Sequence, residues 1–331
     1  MSKIVSTGGA YVLSRYMAAN CLAAARQIAL PTVKGEWQTK SYSQSTTTRR
    51  LASLAVRALI EEAELTPKPA LADERGGGAQ KDVSVSLMRR SAHCLGPFFE
   101  LIALTSLEQI PTQTLCEELG TIGRWAERSM FQCTGQVSPH RGALWVFGLL
   151  VSAAAMRPAS AAAIAETARQ LACLPDRNAS KEEIQDLPAT RPYKPTGARA
   201  EAQAGFPSIV AAGLPRLYLS REIDESETLG RLNALLAIMT RLDDARLLEQ
   251  GGQAALKTAQ AGAQSILDAG GVATPKGWRL LQHLDRDLLT LKSSPRGSAD
   301  MLAATIFIDC LSRDEELDIK GKPYKTEDRV R

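Results

Sequence analysis

Gly142-Ala143-Leu144-Trp145-Val146-Phe147-Gly148-Leu149-Leu150-Val151-Ser152-Ala153-Ala154-Ala155-Met156 is the longest uncharged run in the chain, about fifteen residues. A membrane span needs about 20 predominantly apolar residues. The run is too short for that and reads as a helix buried on all sides. The composition around it agrees. Ala and Leu dominate, and aromatic residues make up 5% of the 331. Ala and Leu are strong helix formers, whereas strands favour β-branched and aromatic residues. No stretch alternates convincingly with period two. The expected fold is therefore all-α, a single domain of packed helices long enough to bury a sizeable core.

Working outward, helical spacing of apolar residues predicts a first helix from Arg49, with Leu51, Leu54, Ala55, Ala58 and Leu59 on one face. Further helices are predicted over about 83–107, from Pro111 to about Gln132, 140–155, 159–173, 199–220, 225–243, 252–269, 276–291 and 298–313. Pro67 and Pro69 end the first helix, and a loop with Gly76-Gly77-Gly78 follows. Residues 174–198 hold four prolines and read as a loop. The ends carry weaker signals. Residues 1–48 read as an extension, with a Ser- and Thr-rich linker over 36–48. Its basic, acid-free start resembles a targeting peptide only faintly. The segment 314–331 is charged and reads as a frayed tail. The globular unit is thus expected over 49–313.

The charge balance narrows the function. A net charge of +4, with no basic run and no interleaved aromatics, does not suggest a nucleic-acid binder. Six cysteines stand singly, with no Cys-x-x-Cys pair, which fits a reducing cytoplasm. The three histidines form no zinc signature. Neither nucleic acid nor membrane is an expected partner.

The chemistry-bearing residues lie between the helical runs. Asp243-Asp244 reads as the end of the 225–243 helix, where two carboxylates oppose the helix dipole and a cation would offset the cost. A solvated pair with Arg241 or Arg246 is the plainer reading. His140 and Arg141 stand where a loop enters an apolar helix, a place for anion binding or a proton shuttle, or simply for a helix cap. Glu127 has Arg124 within helical reach. Glu201 and Asp300 also fit ordinary helix-start chemistry, the latter after Ser298 as N-cap. Asp73 and Asp82 flank the triple glycine, a weak phosphate-cradle signal.

Taken together and in order, these segments resemble the triphosphoribosyl-dephospho-CoA synthase family over roughly Arg50 to Arg313. The resemblance rests on Leu65-Thr66-Pro67-Lys68-Pro69 with Asp73 and Asp82. It continues in Gly123, Glu127, Thr134-Gly135, Val137, His140 and Gly142-Ala143. Gly197-Ala198-Arg199, Glu201 and Gly205-Phe206-Pro207 form a third segment. Leu242-Asp243-Asp244 with Gly251-Gly252, and Ser294-Pro295 with Gly297-Ser298-Ala299-Asp300, complete it. Trp145 is similar to the branch serving malonate decarboxylase rather than citrate lyase. The sequence departs from the family's pattern at Gln80 (for His), Gln136 (for Gly), Ser138-Pro139 (for Asn-Thr), Ala200 (for Gly), Ala245 and Gln250 (for Thr and Arg) and Arg296 (for Gly).

The resemblance implies transfer of the 5-triphosphoribosyl group of ATP to the 2′-hydroxyl of 3′-dephospho-CoA, releasing adenine. The product is the prosthetic-group precursor of an acyl carrier protein. It implies Mg²⁺ with the ATP, held by Asp82, Asp243, Asp244 and Asp300. Lys68, Arg141 and Arg199 would contact phosphates, with Gly135, Gly142, Gly251, Gly252 and Ser298 in the ATP-binding segments. Glu127 and Glu201 would act as base or cation-stabilising acids, and His140 as a proton carrier. The exchanged glycines also fit a non-catalytic homologue that binds nucleotide, CoA or a carrier protein.

Overall fold

The computed structural model describes residues 41–80, 82–179, 197–223 and 226–319, with side chains described only within 46–313. Its elements are α1 (Ser41–Glu64), α2 (Val85–Ser106), α3 (Gln113–Cys133), α4 (Arg141–Ala155) and α5 (Ala161–Ala172). After these come α6 (Ala198–Gln203), a π-helical turn (Ile209–Gly213), α7 (Leu214–Glu222) and α8 (Glu227–Met239). The last three are α9 (Ala245–Asp268), α10 (Pro275–Thr290) and α11 (Arg296–Ile319). Among the described residues the only β pairing is an isolated bridge, Asp73 with Gly76.

The uncharged run is α4, and it packs against α1, α2, α3, α5, α6 and α11. Phe147 at its middle stacks between Phe99 of α2 and Phe307 of α11, with ring centroids 5.7 and 5.5 Å apart. One continuous apolar cluster runs from Leu51 in α1 to Leu311 in α11, which makes the helices a single domain. No helix among the described residues is long and apolar enough to cross a membrane.

Helix ends follow local chemistry. Ser84, Thr112, Ser160, Ser226 and Thr274 each accept a backbone N–H of the first turn with their side chains. Thus Pro111 precedes the cap rather than opening α3. Four helices end in the same way. Gly135, Gly205, Gly270 and Lys292 take positive φ, and the next residue's N–H returns to a carbonyl five residues earlier, as in Gln136 to Phe131.

Several sequence expectations are corrected here. The linker over 36–48 is helical from Ser41, and α11 runs to Ile319, beyond the expected boundary at 313. The single helix over 199–220 is broken, because Gly205 at φ 81° ends α6 and Pro207 follows. The helix expected from 252 starts at Ala245 and bends at Gly252 (φ 61°, ψ −157°), a conformation that essentially only glycine adopts. Of the loop expected over 174–198, residues 180–196 lie outside the described residues, as do 1–40 and 320–331.

Candidate active site

The motif segments, scattered over more than two hundred residues, meet around the first turn of α11. Asp244 is the hub. Its Oδ1 accepts the N–H of Arg246, capping α9 at 3.0 Å. Its Oδ2 accepts both the N–H and the hydroxyl of Ser298, at 2.8 and 3.0 Å, capping α11. Next door, the Asp243 carbonyl accepts the N–H of Gly197, which ties in the third segment. A side chain at Gly142 would stand 2.2 Å from the Asp300 carboxylate, which ties in the second. Arg296 donates to Gln80 at 2.9 Å and to the Pro139 carbonyl, which ties in the first.

Of these residues, Gln80, Pro139, Arg296 and Asp300 line a small cleft of about 30 Å³. Glu62, Lys68, Gln80, Pro139, Arg296 and Asp300 supply its polar wall. Ala72, Val83 and Met88, from a small apolar cluster under the loop after α1, supply part of its apolar floor.

Its electrostatics are set by withdrawal from water. Asp300 is half-buried on the cleft wall, and desolvation pushes its carboxyl up to about 8. Arg296 pulls the other way, while Glu62 and Asp244 add to the rise. Burial raises Asp244 as well, against the donors that cap it. His140 is buried, accepts or donates at Nδ1 with Ser91 at 2.9 Å, and has no partner at Nε2. Desolvation, with Arg296 and Lys68 nearby, drops it to about 3, so it is neutral at physiological pH.

Several sequence assignments change on this geometry. Asp243-Asp244 does not end a helix: α8 stops at Met239, and Asp244 starts α9, where its charge complements the dipole. Three donors, the N–H of Arg246 and the N–H and hydroxyl of Ser298, already hold the Asp244 carboxylate, so here it caps α9 and α11. Ser298 is likewise consumed. Lys68 is wholly buried, with its ammonium on the Glu62 carboxylate (2.6 Å) and on the last-turn carbonyls of Glu62 and Ala63. It caps α1 rather than presenting free donors to a phosphate. His140, neutral far below pH 7, is a hydrogen-bonding group rather than a proton carrier.

The glycines mostly make room for the protein itself. Gly142 admits Asp300, Gly297 admits Asp244, and Gly251 admits the Ser293 hydroxyl. Gly135 is the left-handed cap of α3, and Gly252 the bend of α9. In the triple-glycine loop a side chain at Gly77 or Gly78 would strike backbone oxygens at 2.1 and 2.4 Å, so the loop is folded on itself rather than open as a cradle. Asp73 braces it, accepting the N–H groups of Lys68 and Arg75. Asp285 of α10 anchors it from outside through Ala70 and Arg75.

The remaining candidates fall outside the cleft wall. Glu127 pairs with Arg141 at 2.7 Å, not with Arg124, which binds Asp176 at 2.6 Å. Glu201 accepts the N–H and hydroxyl of Ser208 on one oxygen, 3.1 and 2.6 Å. Burial raises its pKa, and the nearby exposed Asp243 raises it further. Arg199 is partly exposed on α6, its charge felt by Cys116 of α3. Asp82 is exposed, but its charge reaches Arg296. Of the four acids expected to hold a metal, Asp82 and Asp300 act on Arg296, Asp244 acts on Asp300, and Asp243 acts on Glu201. Among the described residues no three His, Cys, Asp or Glu side chains are grouped to hold an ion. Sequence reading missed Glu62, Ser91, Ser208 and Asp285, which look like ordinary polar helix residues until their partners are seen.

Comparison with known proteins gives a consistent answer. Residues 48–318 match the sequence profile of the family described as ATP:dephospho-CoA triphosphoribosyl transferase. A probable 2-(5''-triphosphoribosyl)-3'-dephosphocoenzyme-A synthase of Pseudomonas fluorescens (strain Pf0-1) is 46% identical over 275 residues, 81% of this chain and 94% of that protein. A second, from P. fluorescens strain ATCC BAA-477 / NRRL B-23932 / Pf-5, is 48% identical over 264 residues, 78% and 90% of the two chains. The 2-(5''-triphosphoribosyl)-3'-dephosphocoenzyme-A synthase of Klebsiella pneumoniae is 46% identical over 261 residues, 78% and 93%. No solved structure matches significantly. The profile spans all the converging segments and the relatives are covered nearly end to end, so this chain, a transferase, belongs to the ATP:dephospho-CoA triphosphoribosyl transferase family.

Proposed function

We propose that the chain transfers the 5-triphosphoribosyl group of ATP to the 2′-hydroxyl of 3′-dephospho-CoA and releases adenine. The observation that carries this is the meeting of five sequence segments near the start of α11, beside a cleft lined by the half-buried Arg296 and Asp300. The bond from the ribose C1′ to adenine breaks, the C1′–O2′ bond forms, adenine gains a proton and the hydroxyl loses one. Asp300, protonated up to about pH 8, suits the proton donor to the leaving base. Glu201 suits the base or the carboxylate that stabilises positive charge on the sugar, since Ser208 occupies only one of its oxygens. Glu127 is the alternative, released from Arg141 when that arginine turns to phosphate. Arg141 and Arg199 are the peripheral phosphate contacts.

Mg²⁺ fits as a companion of the triphosphate rather than as a resident ion, because such an ion needs only one or two protein carboxylates. Asp243 is the matching carboxylate, since its charge bears on Glu201 and a cation there would relieve that repulsion. The ion would neutralise triphosphate charge. Trp145 supports the malonate decarboxylase branch, with that enzyme's acyl carrier protein as the final acceptor of the product. A cytoplasmic setting suits the single cysteines and this pathway.

The test is adenine release from ATP in the presence of Mg²⁺ and 3′-dephospho-CoA, with the mass of the product. Acceptor-dependent adenine and a product heavier by the triphosphoribosyl group are expected. A folded sample that releases no adenine would overturn the proposal and favour a non-catalytic homologue. Supplying the product to carrier proteins of the two decarboxylase and lyase systems then decides the branch.

A further inference from the structure

Among the described residues Arg296 makes no ion pair. It opens α11 inside the cleft, and desolvation depresses its pKa. Its hydrogen-bond partners are both neutral, the Gln80 amide oxygen and the Pro139 carbonyl. The carboxylates that act on it do so only through space. Of these, Glu62 is already bound by Lys68 at 2.6 Å, Asp82 is exposed to solvent, and Asp300 is protonated near neutrality. A guanidinium withdrawn from water and left with neutral acceptors is costly unless something anionic completes it.

A second polar group beside it is also incomplete. His140 follows Pro139, is buried, and has no partner at Nε2. When Ser91 donates to Nδ1, Nε2 carries the proton and lacks an acceptor. His140 Nε2 is thus a buried polar atom without a partner, and Arg296 is a cation held only by neutral acceptors, the two meeting at Pro139 on the cleft wall. The planar fork of an arginine matches phosphate oxygens, and such charge-assisted bonds are about twice as strong as neutral ones. The Gln80 and Arg296 side chains touch, so whatever draws Arg296 away must outcompete that contact.

We propose that Arg296 is a phosphate-binding residue, parked on Gln80 and Pro139 and passed to a polyphosphate when one enters the cleft. The anion is a di- or triphosphate chain, from ATP or from dephospho-CoA. The choice between those sources rests on the function proposed above, whereas the capture of a polyphosphate does not.

The experiment titrates inorganic tripolyphosphate and inorganic diphosphate into the wild-type chain, Arg296→Gln and Gln80→Glu by calorimetry, and measures KM for each substrate separately. Arg296→Gln is expected to weaken binding of at least one probe about tenfold, the loss of one charge-assisted contact. Gln80→Glu supplies a competing carboxylate and is expected to weaken it comparably while raising thermal stability, with Arg296 still present. This second variant decides the matter if the first does not fold. A KM rise confined to ATP assigns the triphosphate, and one confined to dephospho-CoA assigns its diphosphate. Folded variants that bind both probes as the wild type does, with both KM values unchanged, would overturn the proposal. A wild-type chain that binds tripolyphosphate through Arg296 but releases no adenine would leave this inference standing and sink the proposed reaction instead.

Discussion

Gly252 and Gln136 both hold positive φ, the first as a glycine and the second not. Gly252 sits at φ 61° and ψ −157° with nothing within 4 Å of a would-be side chain. Gly252→Ala meets no clash, so its whole cost is conformational, and chemical denaturation should show a loss of about 1–3 kcal/mol. Gln136 holds φ 72° without being glycine. Gln136→Gly should therefore stabilise by about 0.5–1 kcal/mol, the relief of left-handed strain less glycine's greater freedom when unfolded. A null result at both sites would mean the local backbone differs from that described. The sequence reveals such glycines as punctuation but not their purpose. Gly142 and Gly297 sit in motifs and suggest a ligand, yet their neighbours are Asp300 and Asp244. Only the packing of α4 and α9 against α11 shows what fills the space.

Among the elements, α1 and the loop after it depend on one ion pair. Lys68 and Glu62 are both almost wholly buried, and the ammonium also closes the carbonyl end of α1. Lys68→Ala leaves a buried carboxylate alone and should cost about 3–5 kcal/mol in thermal or chemical unfolding. Replacing both residues together, Lys68→Met with Glu62→Leu, should recover most of that loss. If the single variant were as stable as wild type, the pair would have to be solvated. The helices themselves are legible from periodicity, since their buried faces repeat at helical spacing. Their boundaries are less so. Asp244 looks like the last residue of one helix and is the cap of the next, because Thr240 to Asp243 form a turn that no apolar pattern marks. The glutamate under Lys68 is equally hidden, six residues away on a helix with no visible reason to be buried there.

For the molecule as a whole, two titrating groups act in opposite directions. Asp300 keeps its proton to about pH 8 when folded and loses it near 4 when unfolded. Over that interval the folded state binds more protons, so stability falls as pH rises. His140 stays neutral down to about 3 when folded, against about 6.5 unfolded. Its contribution is present above 6.5 and is lost as pH falls through the interval. The two slopes offset one another between about 4 and 6.5, and from 6.5 to 8 the decline belongs to Asp300, with the raised carboxyls of Asp244 and Glu201 acting in the same direction. Denaturation midpoints measured across this range should show that decline, and Asp300→Asn should flatten it. An unchanged profile would place Asp300 in water. Asp244 carries a different kind of consequence. Because its two oxygens hold the amides of Arg246 and Ser298, neither first turn can open while the other stays shut. Deuterium should enter those two amides at a common rate, and helices separated by fifty residues of chain should melt as one cooperative unit.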